Sequence, residues 1–235
     1  MCTVTYLPLG ESDFILTSSR DVPFVRKSAE QPKKYIEDGV ELNYPKDGKA
    51  GGTWIGTSSK NRLVCLLNGG FEYHASKQFY KKSRGIIVKN LLKSDNIYRE
   101  LDAINLNGVE QFTLIIVDWN VALELIEFVW DGKEKHFKEQ AQEPQIWSSS
   151  TLYDESTKQL RRDWFADWQQ AKRINQENIL DFHHYAGIGD AQIDVLMDRK
   201  TVGTVSITSI KKEKNQIQIN YEDMLTRQVY QTLIN

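Results

Sequence analysis

Apolar residues alternate with polar ones at the start of the chain, where CTVTYL and FILTSS flank the turn-forming LGESD, so the first 18 residues read as two short strands. From Asp21 to Gly52 the pattern dissolves into polar, irregular sequence with three prolines and GKAGG, which reads as loop. TWIGTSS and RLVCLLN restore the strand pattern on either side of Ser59, Lys60 and Asn61. The period then lengthens to three and four. Ser83 is placed to cap a helix over GIIVKNLL, and Ser94 to cap one over DNIYRELDAI. FTLIIVDW reads as a buried strand, and LELIEFVW and HFKEQ as a hairpin about Asp131-Gly132. Asp154 to Arg173 is a charged, Trp-bearing amphipathic helix, and NQENILDFHHYA a second one. TVGTVSITSI and QIQINYED close the chain as a hairpin about the lysine-rich KKEKN. Strands and helices in this order, with hairpins rather than crossovers, give a layered α+β fold with mostly antiparallel sheets. No repeat or linker divides the 235 residues, which read as a single domain over 1–235.

Composition adds exclusions. A net charge of −2 and a pI of about 6.1 supply no basic field for nucleic acid. No apolar run reaches the roughly 20 residues of a membrane span, and no signal core precedes Gly10, Glu11, Ser12 and Asp13, so the expected location is cytoplasmic. Cys2 and Cys65 make no disulfide framework, and Cys65, inside RLVCLLNG, reads as a buried, inert residue. Adjacent His183 and His184 cannot face one ligand on a helix, and His74 and His136 have no partner at ligand spacing; no metal and no cofactor is expected. Trp164 and Trp168, four apart, read as core or groove packing.

Cys2 follows the initiator methionine directly. Removal of Met1 would give one residue both a thiol and an α-amine, the latter with a reference pKa of about 7.7–8.0, able to act as a base near neutrality. A neighbouring cation such as Arg20 lowers a thiol pKa. Asp21 can orient the new ammonium, and Asn68 can offer its amide to a developing oxyanion, an interaction worth about 2.7–4 kcal/mol where it is made. Each piece has an ordinary reading as well. Arg20-Asp21 can be a loop-anchoring ion pair, and Asn68 beside Gly69-Gly70 can be turn chemistry.

Taken together, Met1-Cys2, the Arg20-Asp21 pair, GGTWIG at 51–56 and LLNGG at 66–70 resemble the NRDE family, also called the transport and Golgi organisation protein 2 family. Its Asn-Arg-Asp-Glu tetrad stands here as Ser19-Arg20-Asp21-Val22; Phe24, Arg26 and Ser83-Arg84-Gly85 extend the likeness to about Leu92. That family is similar to the cysteine-type N-terminal nucleophile hydrolases, which include bile salt hydrolases and penicillin acylases. The resemblance implies a four-layered αββα fold and a catalytic set of Cys2, Arg20, Asp21 and Asn68. It also implies a non-peptide amide as substrate, attacked to form an acyl-thioester on Cys2. Ser150 would stand for a second oxyanion donor and Arg199 for a late basic residue, with Trp54 and Phe71 as substrate-binding groups. The other function the resemblance allows is a non-catalytic ligand-binding or trafficking protein that handles haem, with Cys2, His74, Trp54, Phe71 and Tyr73 as pocket groups. Either way the partner is a small molecule.

Overall fold

The computed structural model describes residues 3–77 and 79–234, and these fall into two compact units. One is built from Met1–Arg26 and Glu143–Asn235, the other from the intervening Lys27–Gln142. Every strand pairing described in either unit is antiparallel.

The first unit begins with β1 (Thr3–Pro8) and β2 (Phe14–Pro23), joined by the expected turn. Its other strands come from the second half of the chain: β10 (Gln145–Ser148), β11 (Val202–Glu213), β12 (Gln216–Asp223) and β13 (Gln228–Ile234). Their order is β10-β1-β2-β11-β12-β13, so β1 and β2 lie in the middle. Helices α3 (Glu155–Ala171) and α4 (Gln176–Tyr185) complete the unit. Asp154 and Asn175 cap them by accepting from Thr157 N and Asn178 N. Leu7 and Ile15, neighbours on one sheet face, pack with Phe165, Trp168, Ile179 and Phe182 of these helices. Burial of such side chains contributes roughly 1.5–3 kcal/mol each, and it holds the helical pair on the sheet.

The second unit is a seven-stranded meander in sequence order: β3 (Glu30–Glu37), β4 (Val40–Lys46), β5 (Ile55–Ser58), β6 (Arg62–Asn68), β7 (Phe112–Asp118), β8 (Glu124–Trp130) and β9 (Lys135–Gln140). Helix α1 (Arg84–Lys93) lies on β5 and β6, and α2 (Ile97–Ala103) follows it. Arg62 pins this layer. It is buried, donates to Asp118 Oδ2 at 2.7 Å, and reaches the carbonyls of Leu91 (2.8 Å) and Ser94 (2.7 Å) at the end of α1.

Three expectations need correction. The supposed loop from Asp21 to Gly52 contains the end of β2 and all of β3 and β4, a hairpin closed by Asp38 (φ 52°) and Gly39 (φ 79°). Positive φ at both central residues is what a type I′ two-residue hairpin requires, and Asp-Gly supplies it. Ser94 does not start α2. Its hydroxyl closes α1 by donating to Leu91 O at 2.9 Å, while Asn96 caps α2 by accepting from Arg99 N. Ser83 does stand at the start of α1, but its side chain makes no capping bond. Strand β13 is an addition that the sequence pattern did not announce.

Candidate active site

Thr3, the first described residue, pairs with Ser19 on β2 and with Ser148 on β10. Directly after Ser19, β2 carries Arg20 and Asp21, which are only 4% and 2% exposed. Buried charges persist only with partners in place. For Asp21, the next strand provides one through an irregularity. Between Thr204 and Ser206 the register of β11 slips against β2, a bulge that sets Thr204 opposite Asp21 and Ser206 opposite Arg20. Thr204 Oγ1 accepts from Met197 N at 3.0 Å and donates to Asp21 Oδ1 at 2.6 Å, so its proton direction is fixed. The second carboxylate oxygen accepts from the Tyr153 hydroxyl at 3.1 Å.

Tyr153 belongs to the turn that leads from β10 to α3, its N–H donating to Ser149 O. The Arg161 guanidinium stacks on its ring at 3.7 Å from the centroid, and that of Arg199 lies at 5.2 Å. Arg161 is completely buried. Its Nε and Nη2 donate to Ile193 O at 3.1 and 3.0 Å, Nη2 also to Asp194 O, and Nη1 to Thr3 Oγ1. One side chain thus ties the first described residue of β1 to the ring whose hydroxyl holds Asp21.

His183 supports the same strands. It is fully buried, with Nδ1 2.7 Å from Ser19 Oγ and Nε2 2.9 Å from Thr5 Oγ1. A neutral imidazole has one donor and one acceptor, which two hydroxyls can match. Burial, reinforced by the positive charge of His184 and Arg161, pushes its pKa down to about 3. His184 turns away to Glu222, 2.6 Å from its Nε2, and that carboxylate raises its pKa. The two adjacent histidines therefore serve different neighbours, as helical geometry requires.

Of the residues singled out in the sequence, Arg20, Asp21, Ser150 and Arg199 belong to the first unit. Asp21 and Arg199 meet through Tyr153. Ser150, two residues beyond the Ser148–Thr3 pairing, is buried, and its Oγ has no hydrogen-bond partner among the described residues. Trp54, Asn68 and Phe71 belong to the second unit. Asn68 ends β6 opposite Phe112, half-buried. Trp54 is buried just before β5, whereas Phe71 is 54% exposed and meets His136 edge-on at 4.9 Å. Cys2 and Met1 lie outside the described residues. Cys65 is buried on β6, as expected.

The GGTWIG and Ser83-Arg84-Gly85 segments come together in the second unit: Thr53 N donates to Gly85 O at 3.3 Å. A Cβ on Gly52 would fall 2.5 Å from the Gly85 carbonyl carbon, so both positions need glycine for backbone to meet backbone. Two histidines gain acidic neighbours that spacing did not reveal. His136 Nε2 lies 2.7 Å from Asp131 Oδ2, and His74 Nε2 3.5 Å from Glu110. The backbone N–H of Glu134, then His136 and the Lys133 N–H, lower the Asp131 pKa to about 2. Among the described residues there is no group of three or more His, Cys, Asp or Glu that could hold a metal ion, and no helix is long and apolar enough to cross a membrane.

Tyr153, Arg161, His183 and Thr204 were not singled out as site residues by the sequence. Tyr153 is 132 residues from Asp21 and Thr204 is 183, and neither sits in a recognisable motif.

Solved structures of similar fold identify the architecture. A Caenorhabditis elegans N-acylethanolamine-hydrolyzing acid amidase ortholog superposes with a TM-score of 0.62 at 13% identity, covering 89% of this chain and 92% of its own. A penicillin V acylase from Agrobacterium tumefaciens gives 0.55 at 9% identity, covering 98% and 85%. A conjugated bile acid hydrolase variant from Clostridium perfringens gives 0.57 at 11% identity, covering 100% and 97%. The fold is therefore the α+β fold of N-terminal nucleophile hydrolases, as the sequence resemblance implied. The chain belongs to the Transport and Golgi organisation 2 family, whose model matches residues 1–233. A comparison with curated protein sequences finds no match.

Proposed function

We propose that this chain is a cysteine amidohydrolase of the N-terminal nucleophile type, acting on a non-peptide amide through an acyl-thioester on Cys2 after removal of Met1. The observation that carries the reading is the buried Arg20-Asp21 pair. It stands on the strand that pairs with Thr3, one residue from Cys2 in sequence, with Asp21 held by the Tyr153 and Thr204 hydroxyls. The fold neighbours are an amidase, an acylase and a hydrolase, and one hydrolase structure is of a mutant with its second residue, a cysteine, replaced by alanine.

In this mechanism the α-amine of Cys2 takes the thiol proton as sulfur attacks the amide carbonyl. Asp21, fixed on both oxygens, orients the resulting ammonium, and Arg20 favours the thiolate. Collapse of the tetrahedral adduct breaks the C–N bond, with the ammonium proton leaving on the amine product. Water then hydrolyses the thioester, activated by the same α-amine. Asn68 and Ser150 are the proposed oxyanion donors, and the buried Ser150 Oγ supports that assignment, since a buried hydroxyl without a partner among the described residues is suited to a ligand. Trp54, Phe71 and Arg199 remain the proposed substrate-binding groups.

Intact-mass analysis of untagged protein before and after limiting alkylation tests the reading. Loss of Met1 with labelling of Cys2 ahead of buried Cys65 is the expected result, followed by loss of turnover in Cys2→Ala. Retention of Met1, or a Cys2 that labels no faster than Cys65, overturns the free-amine mechanism. A haem titration would then test the binding alternative.

A further inference from the structure

A cavity of about 400 Å³ opens between α3 and α4, within the range of small-molecule sites, and it shares no lining residue with the candidate active site. Its inner wall is Trp168 and Phe182, both core residues with ring centroids 5.8 Å apart. Trp168 also stacks on Phe165 at 5.6 Å and donates Nε1–H to Asn178 O at 3.0 Å, so the indole is locked in orientation. Trp164, one turn earlier on α3, and Tyr185, one turn later on α4, extend the aromatic lining to the mouth. Tyr185 is 80% exposed, and the ring contact described for it is with neighbouring His184. Asp167 and Asp181 join the lining from α3 and α4 respectively, with Lys172 the single basic residue there.

The chemistry of this lining is specific in sign. Aromatic faces carry negative potential, and two carboxylates against one ammonium add to it. None of the cation–ring contacts found among the described residues involves Lys172, so its charge does not occupy these rings. An anion would meet both the carboxylates and the ring faces, and a purely apolar guest would leave the carboxylates without use. We propose that this cavity is a binding site for an organic ammonium cation with an apolar body. The apolar part lies against Trp168 and Phe182, and the charge faces Asp167, Asp181 and the Trp164 and Tyr185 rings.

The test is a titration of the full chain with benzyltrimethylammonium by calorimetry, alongside its neutral isostere (2,2-dimethylpropyl)benzene and the anion phenylacetate. Saturable binding of the cation is expected, with the neutral isostere and the anion weaker. Asp167→Asn and Asp181→Asn are exposed substitutions that leave the helices intact, and each should weaken the cation by roughly two- to fivefold. Trp164→Leu should weaken it similarly through the lost ring. Equal binding of the neutral isostere, indifference to both Asp→Asn changes, or no binding of the cation at ~10 mM, below the affinity of weak small-molecule sites, would overturn the proposal.

Discussion

Tyr153→Phe isolates the contact that organises Asp21. The substitution keeps the ring under the Arg161 guanidinium and deletes only the hydroxyl that donates to Asp21 Oδ2 at 3.1 Å. Hydrogen bonds to charged groups contribute about 1.5–3 kcal/mol, and Asp21 is too buried for water to substitute freely. The shorter bond from Thr204, at 2.6 Å, survives, which places the loss in the lower half of that range. A destabilisation of about 1.5–2 kcal/mol is expected, a roughly ten- to thirtyfold drop in the folded-to-unfolded ratio. Urea unfolding at pH 7 reads it, with tryptophan fluorescence and far-UV circular dichroism required to give one midpoint. Repeating the change in an Asp21→Asn background assigns the effect to the pair: the cost of losing the hydroxyl should fall by about 1 kcal/mol once the charge is gone. An equal loss in both backgrounds would refute the view that Tyr153 acts on Asp21. So would a loss below about 0.5 kcal/mol, the level of an ordinary surface change.

His183 makes a pH prediction. Its folded pKa, about 3, lies below the unfolded value of about 6.5, so the unfolded chain binds the extra proton between those limits. Its contribution is complete above pH 6.5 and is lost as pH falls towards 3, about 2 kcal/mol by pH 5. Urea midpoints at pH 7.5 and 5 should separate more for the native chain than for His183→Gln, and equal separations would count against it. Arg161→Lys cannot reproduce the guanidinium's bonds to Thr3, Ile193 and Asp194 or its stack on Tyr153, and should cost about 3 kcal/mol or more in the same assay. Thr3→Val, losing one of those bonds, should cost about half as much. Gly52→Ala forces a methyl against the Gly85 backbone at 2.5 Å and should lower the melting temperature by about 4–8 °C, for an overpacking cost of about 2 kcal/mol.

Most elements that bury a face were legible in the chain, although β4, buried over most of its length, was read as loop because Pro45 and the GKAGG run break its pattern. Phe112–Asp118 is a run buried throughout, and α3 shows its buried Phe165 and Trp168 at helical spacing. Strands β3 and β13 were not legible, because each carries mainly exposed or half-buried side chains at the edge of a sheet. Such a strand is held by main-chain pairing, which leaves little trace in side-chain pattern. The Asp38-Gly39 turn was written in the sequence, but the polar strand preceding it hid its meaning.

The same division runs through the candidate site. Arg20 and Asp21 are adjacent in sequence and share a strand in any fold that contains β2, so the chain itself determined that they would neighbour one another along the backbone, with successive side chains directed to opposite faces of the sheet. What surrounds them was decided by tertiary structure. The bulge in β11 selects Thr204 as the partner of Asp21, the turn after β10 delivers Tyr153, and α3 brings Arg161 across to Thr3. These choices depend on strand register and on how one helix seats against a sheet. A side chain reports its own preferences for helix, strand or turn, but not which distant hydroxyl will lie within 3 Å of it once the core has closed.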